Sequence, residues 1–266
     1  MRRSHHGQRP RCILPSKSAQ RGRVLIDFVY EISCTGERSK HDAVQTWFDT
    51  HAEPAWLTLP ELSALDVYDA IGSGAQDPFV NDGPGPLLHA MLQFPTAEAL
   101  LRGIGDPRLA RAVPMAIGGV GVTGTMFERR HYPVAGEERP RPLRAPFSYV
   151  VRYHRPAADE AAFVANYLDG HPPLLARLPR IRSILCYLPT AAPGPLPAAD
   201  YMIGNEVAFD TIDDFNSAMA SPERQEARKH FNRFPPFAGR NTHYPMWRRQ
   251  WPGGAVNSVT RDGAFD

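Results

Sequence analysis

Two histidines, His51 and His171, occupy matching places in two similar stretches of the chain, 120 residues apart. In each stretch, apolar residues recur at i, i+3 and i+4 and the histidine follows at i+7, which is one face of an amphipathic helix. Imidazole titrates near neutral pH, so a histidine on such a face is suited to act as a general base or acid toward a small organic ligand. The apolar residues are Val44, Trp47 and Phe48 before His51, and Val164, Tyr167 and Leu168 before His171.

A purely structural role would explain the same histidines. Pro172-Pro173 follow His171 directly, and proline disfavours helical geometry in the residue before it, so His171 is predicted at or near a helix end. A histidine there is stabilised by the last carbonyls and the helix dipole by about 0.3–1 kcal/mol without any catalytic role. Ala-Glu-Pro follows His51 instead of Pro-Pro-Leu, and both interpretations apply to it as well.

Aromatic side chains accompany both histidines. As walls of a cavity they would suit a flat apolar ligand and could donate a hydrogen bond, whereas as plain core they need no ligand. The predicted substrate-binding residues are Tyr167, Trp47, Tyr153, Tyr187, Tyr30 and Tyr68.

A second pair of segments supports an internal duplication. Phe94 to Pro107 and Phe209 to Pro222 each span 13 steps, with Thr96 and Thr211 in register. Two matched pairs in the same order indicate a repeat. The displacement here is 115 rather than 120, so the first half holds about five extra residues, for which the Gly-, Pro- and Asp-rich stretch 72–86 is the natural place.

Each half reads β-α-β-β-α-β, the ferredoxin-like order. Such a half has helices on one face of its sheet and leaves an apolar face that cannot remain in water. We therefore expect an α+β fold in which two ferredoxin-like repeats close an intramolecular pseudo-dimeric α/β barrel, with a cavity between sheets and helix ends. The predicted strands are 24–32, 64–70, 87–94, one within 115–127, 147–153, 181–187, 201–209 and 242–247; the predicted helices are 42–51, 96–105, 159–171 and 213–231, the last interrupted near residue 221.

The repeat also predicts the domain organisation. A basic tail (1–23) precedes the first domain (24–130), and a Pro- and Arg-rich linker (131–146) leads to the second (147–247), which a short tail (248–266) follows.

Composition excludes several classes of protein. The net charge is +2, but residues 1–23 carry seven basic side chains and no acidic one, so the remainder carries −5 (2 − 7) and no nucleic-acid partner is expected. Three cysteines without paired spacing indicate a reducing, cytoplasmic location. No apolar run of residues approaches transmembrane length, so no membrane partner is expected. The ten histidines show no metal-binding spacing, so no metal is expected.

The motifs of the second half resemble the EthD family, named for ethyl tert-butyl ether degradation, of the dimeric α/β-barrel superfamily. The resemblance rests on the stretch 167–179 (YLDGHPPLLARLP), the strand 206–210 (EVAFD) and the turn 219–224 (MASPER). It covers about residues 147–247, and residues 24–130 read as a degenerate copy. It implies that one chain does as a tandem pair what single-domain relatives do as homodimers.

The resemblance and the histidines together predict an oxidoreductase of the monooxygenase type. It would need no cofactor and would act on a small hydrophobic or aromatic molecule in catabolism or natural-product tailoring, with His171 and His51 as bases. An isomerase or lyase would use the same base without oxygen. A non-catalytic ligand-binding or stress-response barrel, a barrel with one working site, and assembly into a homo-oligomer all stay open.

Overall fold

The computed structural model describes residues 24–71, 73–83, 85–112, 117–140, 143–192 and 194–253. The predicted N-terminal tail and residues 254–266 of the predicted C-terminal tail lie outside the described residues. The described part is a mixed α+β fold with eight strands and seven α-helices. None of the helices in these ranges is long and apolar enough to cross a membrane.

The two halves have the same order of strands, and in each half helices follow the first and the third strand. Thr96 and Thr211 begin equivalent helices in the same way, because each hydroxyl accepts the backbone N–H three residues on at 3.1 Å. The first half contains β1 (Leu25–Gly36), α1 (His41–Trp47), α2 (Glu53–Trp56), β2 (Ala64–Ala70), β3 (Leu88–Phe94), α3 (Ala97–Ile104), α4 (Pro107–Arg111) and β4 (Val120–Tyr132). The second half contains β5 (Phe147–His154), α5 (Glu160–Leu175), β6 (Ser183–Pro189), β7 (Tyr201–Phe209), α6 (Ile212–Met219), α7 (Pro222–Phe231) and β8 (Asn241–Pro252).

The strands form one closed barrel in the order β1-β3-β2-β8-β5-β7-β6-β4, with every neighbouring pair antiparallel. Each half contributes four adjacent strands. The halves join where β2 pairs with β8 and where β4 pairs with β6. The barrel expected from two sheets with apolar faces is therefore confirmed, and no sheet edge is left open.

Successive residues of each strand face alternately the helices and the barrel interior. The helix-facing sides are apolar and form a separate core in each half. The interior also holds a buried polar network that the sequence did not predict. Glu206 accepts hydrogen bonds from Tyr68 at 3.1 Å and from Ser148 and Tyr187 at 2.5 Å. Tyr68 lies in the first half and Glu206 in the second, so the network ties the halves together.

Two interior ion pairs also cross between the halves. Arg152 of β5 binds Glu31 of β1 at 2.5 and 3.0 Å, and Arg248 of β8 binds Asp66 of β2 at 2.8 Å. Gly204 makes room for the first pair, because a Cβ there would lie 2.7 Å from an Arg152 guanidinium nitrogen. Buried charges are tolerated only when paired, so both pairs fix how the halves meet.

The predicted end of α5 was wrong. Pro172 and Pro173 lie inside the helix, which continues to Leu175. Pro172 is buried in the core, and this packing outweighs the local preference of proline to end a helix.

Three other boundaries also differ from the predictions. The predicted helix 42–51 is α1, which a π-helical turn (Phe48–Ala52) joins to α2. β4 extends to Tyr132, beyond the predicted end at residue 127. β8 extends to Pro252, where a tail was predicted from Arg248 onward. These extensions have one cause, since the added residues pair across the junctions that close the barrel.

Candidate active site in the second half

His171 lies on the buried face of α5. The helix begins at Asp159, whose carboxylate accepts the N–H of Ala162 at 2.9 Å. Phe163, Tyr167 and His171 follow at intervals of four residues and are all buried, which is the spacing of one helix face. His171 is only 6% exposed, and its ring lies 4.8 Å from that of Tyr167.

A second histidine touches His171. Its Nδ1 lies 3.2 Å from Nδ1 of His230 on α7, and the two rings are stacked. Burial lowers the pKa of His171 to about 3, with a further contribution from His230, so the ring is neutral at physiological pH. Gly170 provides the space for this contact, because a Cβ there would clash with the His230 ring.

His171 lines a small cavity of about 40 Å³ between the sheet and the helices. Asn205 and His243 also line it, and its remaining walls are mostly apolar. The Oδ1 atom of Asn205 is buried and has no hydrogen-bond partner among the described residues. A space of this volume admits one or two molecules the size of water or dioxygen.

A larger cavity of about 490 Å³ adjoins the small one, and the walls of both include Tyr149 and His243. Its outer wall consists of Ile71 and of residues within 73–83, which follow β2 in the first half. This is the Gly-, Pro- and Asp-rich stretch to which the extra residues were assigned. The second-half site is therefore completed by the first half of the chain.

Asp77 holds this segment in place. Its carboxylate binds Arg224 of α7 at 2.7 and 3.0 Å and accepts a hydrogen bond from the Tyr149 hydroxyl at 2.8 Å. Burial, reinforced by the Asp77 charge, raises the pKa of Tyr149, so its hydroxyl stays protonated and donates. Phe79 lies under Arg224, with the guanidinium 4.8 Å from the ring centroid.

Asp82, also in this segment, orients His243. One oxygen of Asp82 accepts the backbone N–H of His243 at 2.8 Å and faces its Nδ1 at 3.0 Å. The hydrogen bond from His243 lowers the pKa of Asp82, so the carboxylate is ionised. An ionised oxygen at Nδ1 favours the tautomer that carries its proton there, and in that tautomer Nε2 of His243 has a lone pair that can accept a hydrogen bond.

The structure separates the predicted site residues. Tyr153 lines the small cavity, and Tyr167 packs against His171. Tyr187 and Tyr68 lie in the barrel interior and donate to Glu206. The first-half candidates are not in this site: His51 is exposed and bonded to Thr50, whereas Tyr30 and Trp47 pack in or against the first-half core.

The first half has its own cavity at the corresponding position, with a volume of about 500 Å³, under the segment that follows β6. Phe28 pairs with Phe94 and Phe147 with Phe209. Glu128 pairs with Phe28, and Trp247 pairs with Phe147. Gly124 and His243 each lie four residues before these partners and are therefore equivalent. Tyr30 and Leu196 fill the space at Gly124, since a Cβ there would clash with both.

Sequence reasoning missed His243, His230, Asp77, Asp82 and Arg224. His243 lies in a predicted strand, and its partner Asp82 is 161 positions away. Only the Asp-rich insertion at 72–86 was a signal, and nothing in it indicated which cavity it would cover. Among the described residues, no group of three or more His, Cys, Asp or Glu side chains could hold a metal ion.

The comparisons with known proteins show the fold. No protein-family profile and no curated protein matches the sequence. An anthrone oxidase-like protein of known structure is 12% identical, covers 89% of this chain and 97% of its own, and superimposes with a TM-score of 0.59. A candidate monooxygenase from Fusobacterium nucleatum is 8% identical, covers 87% of this chain and 95% of its own, with a TM-score of 0.52. An EthD family protein from Bacillus halodurans is 20% identical over 36% of this chain, with a TM-score of only 0.30.

Proposed function

We propose that the chain is a monooxygenase-type oxidoreductase with one active site, in the second half, that acts on a small aromatic molecule bearing an acidic C–H or O–H group. One observation carries this proposal. A histidine oriented by a carboxylate, His243 with Asp82, lies where a substrate-sized cavity of about 490 Å³ adjoins one of about 40 Å³.

His243 is the proposed general base. Because Asp82 occupies Nδ1, the basic Nε2 is the nitrogen left to take a proton from the substrate. The carboxylate also stabilises the imidazolium that forms, as the acidic residue of a catalytic triad does. The product of this step is an electron-rich carbanion or phenolate.

Dioxygen is the proposed oxidant, and the small cavity is its binding space. Attack of the carbanion on dioxygen forms a peroxide anion, which accepts one proton, in balance with the proton that His243 removed, and then loses water to give a ketone. For a methylene substrate the balance is R₂CH₂ + O₂ → R₂C=O + H₂O, so the substrate supplies all four electrons. The neutral His171 on the wall of this cavity can donate an N–H to the reduced oxygen. This reaction needs no organic cofactor and no metal.

The lining of the larger cavity favours a flat, hydroxylated aromatic ligand. Ile71, Val80 and Phe215 offer apolar surface, while Gln76 and Asn81 offer hydrogen-bonding groups. A fold shared with an anthrone oxidase-like protein is consistent with a substrate of that shape.

The same proposal includes the origin of the chain. The equal arrangement of four strands in the two halves supports a fused pair of ferredoxin-like repeats, and the motif at 167–179 supports kinship of the second half with the EthD family. The first half then keeps the scaffold and supplies the segment 71–83 to the site.

Oxygen uptake with anthrone as the probe tests the proposal. The protein should consume one dioxygen per anthrone converted to anthraquinone, faster than the uncatalysed reaction. His243→Gln should lower the catalysed rate about 10²–10⁴-fold, whereas His41→Gln, a surface histidine of the first half, should not. An equal rate in H243Q would remove His243 from the mechanism. Anthrone loss without oxygen uptake would overturn the oxidase assignment in favour of other base chemistry.

A further inference from the structure

The contact between His171 and His230 has no role in the steps above that use His243. Both nitrogens of the contact are Nδ1 atoms, 3.2 Å apart. Two neutral imidazoles can share this distance only if one donates its Nδ1 proton and the other accepts. In each neutral ring, Nε2 is therefore unprotonated where Nδ1 carries the proton, and protonated where Nδ1 does not.

The pair runs from the site toward the surface. His171 is 6% exposed and lines the small cavity, whereas His230, on α7, is half-buried and therefore partly open to solvent. Glycine at position 170 is required for the contact, because any Cβ there would clash with His230. The Asp-Gly-His sequence of α5 thus places two rings in line between cavity and solvent.

Resting on the proposed function, we infer that His230 exchanges protons between solvent and the active site through His171. A proton that enters at His171 Nε2 displaces the Nδ1 proton onto His230 Nδ1, and His230 releases its Nε2 proton to solvent. The reverse sequence delivers one proton to the cavity. One removal and one delivery restore the starting tautomers, so the pair returns to its first state after each oxidation.

The surrounding charges favour transfer of a proton over storage of one. Arg224 lines the small cavity beside His171, and the charge of Arg233 contributes to lowering the pKa of His230. Positive charge on either ring would be disfavoured by these neighbours. His230 therefore acts through His171 and is a positioning and proton-exchange residue that does not contact the substrate.

Two variants test the inference with the anthrone assay. His230→Ala should lower turnover about tenfold or more, and added imidazole should restore it in proportion to the free-base concentration. Gly170→Ala keeps His230 but displaces its ring, and should give a similar loss. Lys229→Ala, the exposed neighbour on α7, is the matched control and should match the wild type. Full activity in H230A, or a loss that no imidazole restores, would overturn the inference.

A second readout does not depend on turnover. In ¹⁵N NMR spectra, the ring nitrogens of His171 should exchange protons with water rapidly in the wild type and about tenfold more slowly in H230A, because the route to solvent through His230 is then lost. Slow exchange in H230A together with no oxidation by the wild type would support proton exchange through His230 and reject the proposed function. Equal exchange rates at His171 in both proteins would reject proton exchange through His230.

Discussion

The two halves of the chain build the same kind of cavity with different contents. In the second half, the backbone N–H of His243 donates to the carboxylate of Asp82 at 2.8 Å. At the equivalent register in the first half, the N–H of Gly124 donates to the carbonyl of Pro197 at 2.9 Å. The covering segment thus accepts the equivalent backbone N–H in both halves, through a side-chain carboxylate in the second and a backbone carbonyl in the first, and only the second half places an acid and a base there.

Under the proposed function, this difference assigns the chemistry to the cavity of the second half and a structural role to the cavity of the first. Among the described lining residues of the first-half cavity there is no histidine and no carboxylate, and its Arg155 is engaged by Glu160. Leu196 fills the space that a side chain at position 124 would need. A histidine in place of Gly124 would therefore require both Tyr30 and Leu196 to move.

The largest effect on stability should come from breaking the interior ion pair between the halves. Arg152→Met leaves Glu31 buried opposite a lost charge, and we expect the free energy of unfolding to fall by about 3–5 kcal/mol. Urea denaturation measures it. Arg102→Met breaks an exposed pair with Glu61 and should leave the free energy of unfolding nearly unchanged, because water screens the two charges. Equal losses in the two variants would show that the interior pair does not hold the halves together.

Removal of the carboxylate should weaken the second half alone. Asp82→Asn takes away the ion that sets the His243 tautomer, and oxidation of anthrone should slow about 10²-fold or more while the fold is kept. Asp49→Asn, an exposed acid of the first half, is the control. A normal rate in D82N would show that His243 needs no orienting partner.

Trimming a wall residue of the first-half cavity should lower stability and leave the rate of catalysis unchanged. Leu196→Ala removes the side chain packed against Tyr30 and Gly124, at a cost of about 2 kcal/mol in thermal or urea unfolding. The rate per folded molecule should equal that of the wild type. A loss of turnover at temperatures where L196A is folded would mean that the first-half cavity takes part in the reaction.

The smallest effect, taken per pH unit, concerns acid stability. The pKa of His171 is lowered to about 3 in the fold and is near 6.5 in an unfolded chain. Between these values the unfolded state binds one more proton, so stability falls as the pH is lowered from about 6.5 to 3. His171→Gln should remove up to about 1.4 kcal/mol per pH unit from this slope in urea titrations at pH 4–6. An unchanged slope would indicate that His171 is not buried as described.

Much of the fold could be predicted because its signals are local. The strands around Tyr30, Tyr68 and Tyr153 have the composition of strands, and Thr96 and Thr211 mark helix starts by their capping chemistry. Closure of the barrel followed from apolar sheet faces that need cover. The end of α5 could not be predicted, since the burial of Pro172 depends on the tertiary structure.

The site was predictable only where it lies on one element. His171 belongs to a helix whose spacing is visible in the chain, and its burial followed. The pairing of His243 with Asp82 depends on a first-half segment that crosses to the second half, and no local pattern encodes that contact. The interior charges were missed for the same reason, because Arg152 and Glu31 are 121 positions apart.

Ligand stoichiometry tests most directly the claim that the chain has a single active site. Titration with 1,8-dihydroxyanthraquinone, an analogue of the proposed product, should show one molecule bound per chain. Val80→Trp, in the wall of the second-half cavity, should abolish binding, whereas Ala191→Trp, in the wall of the first-half cavity, should not change it. Two molecules bound per chain, or binding lost in A191W and kept in V80W, would contradict the account.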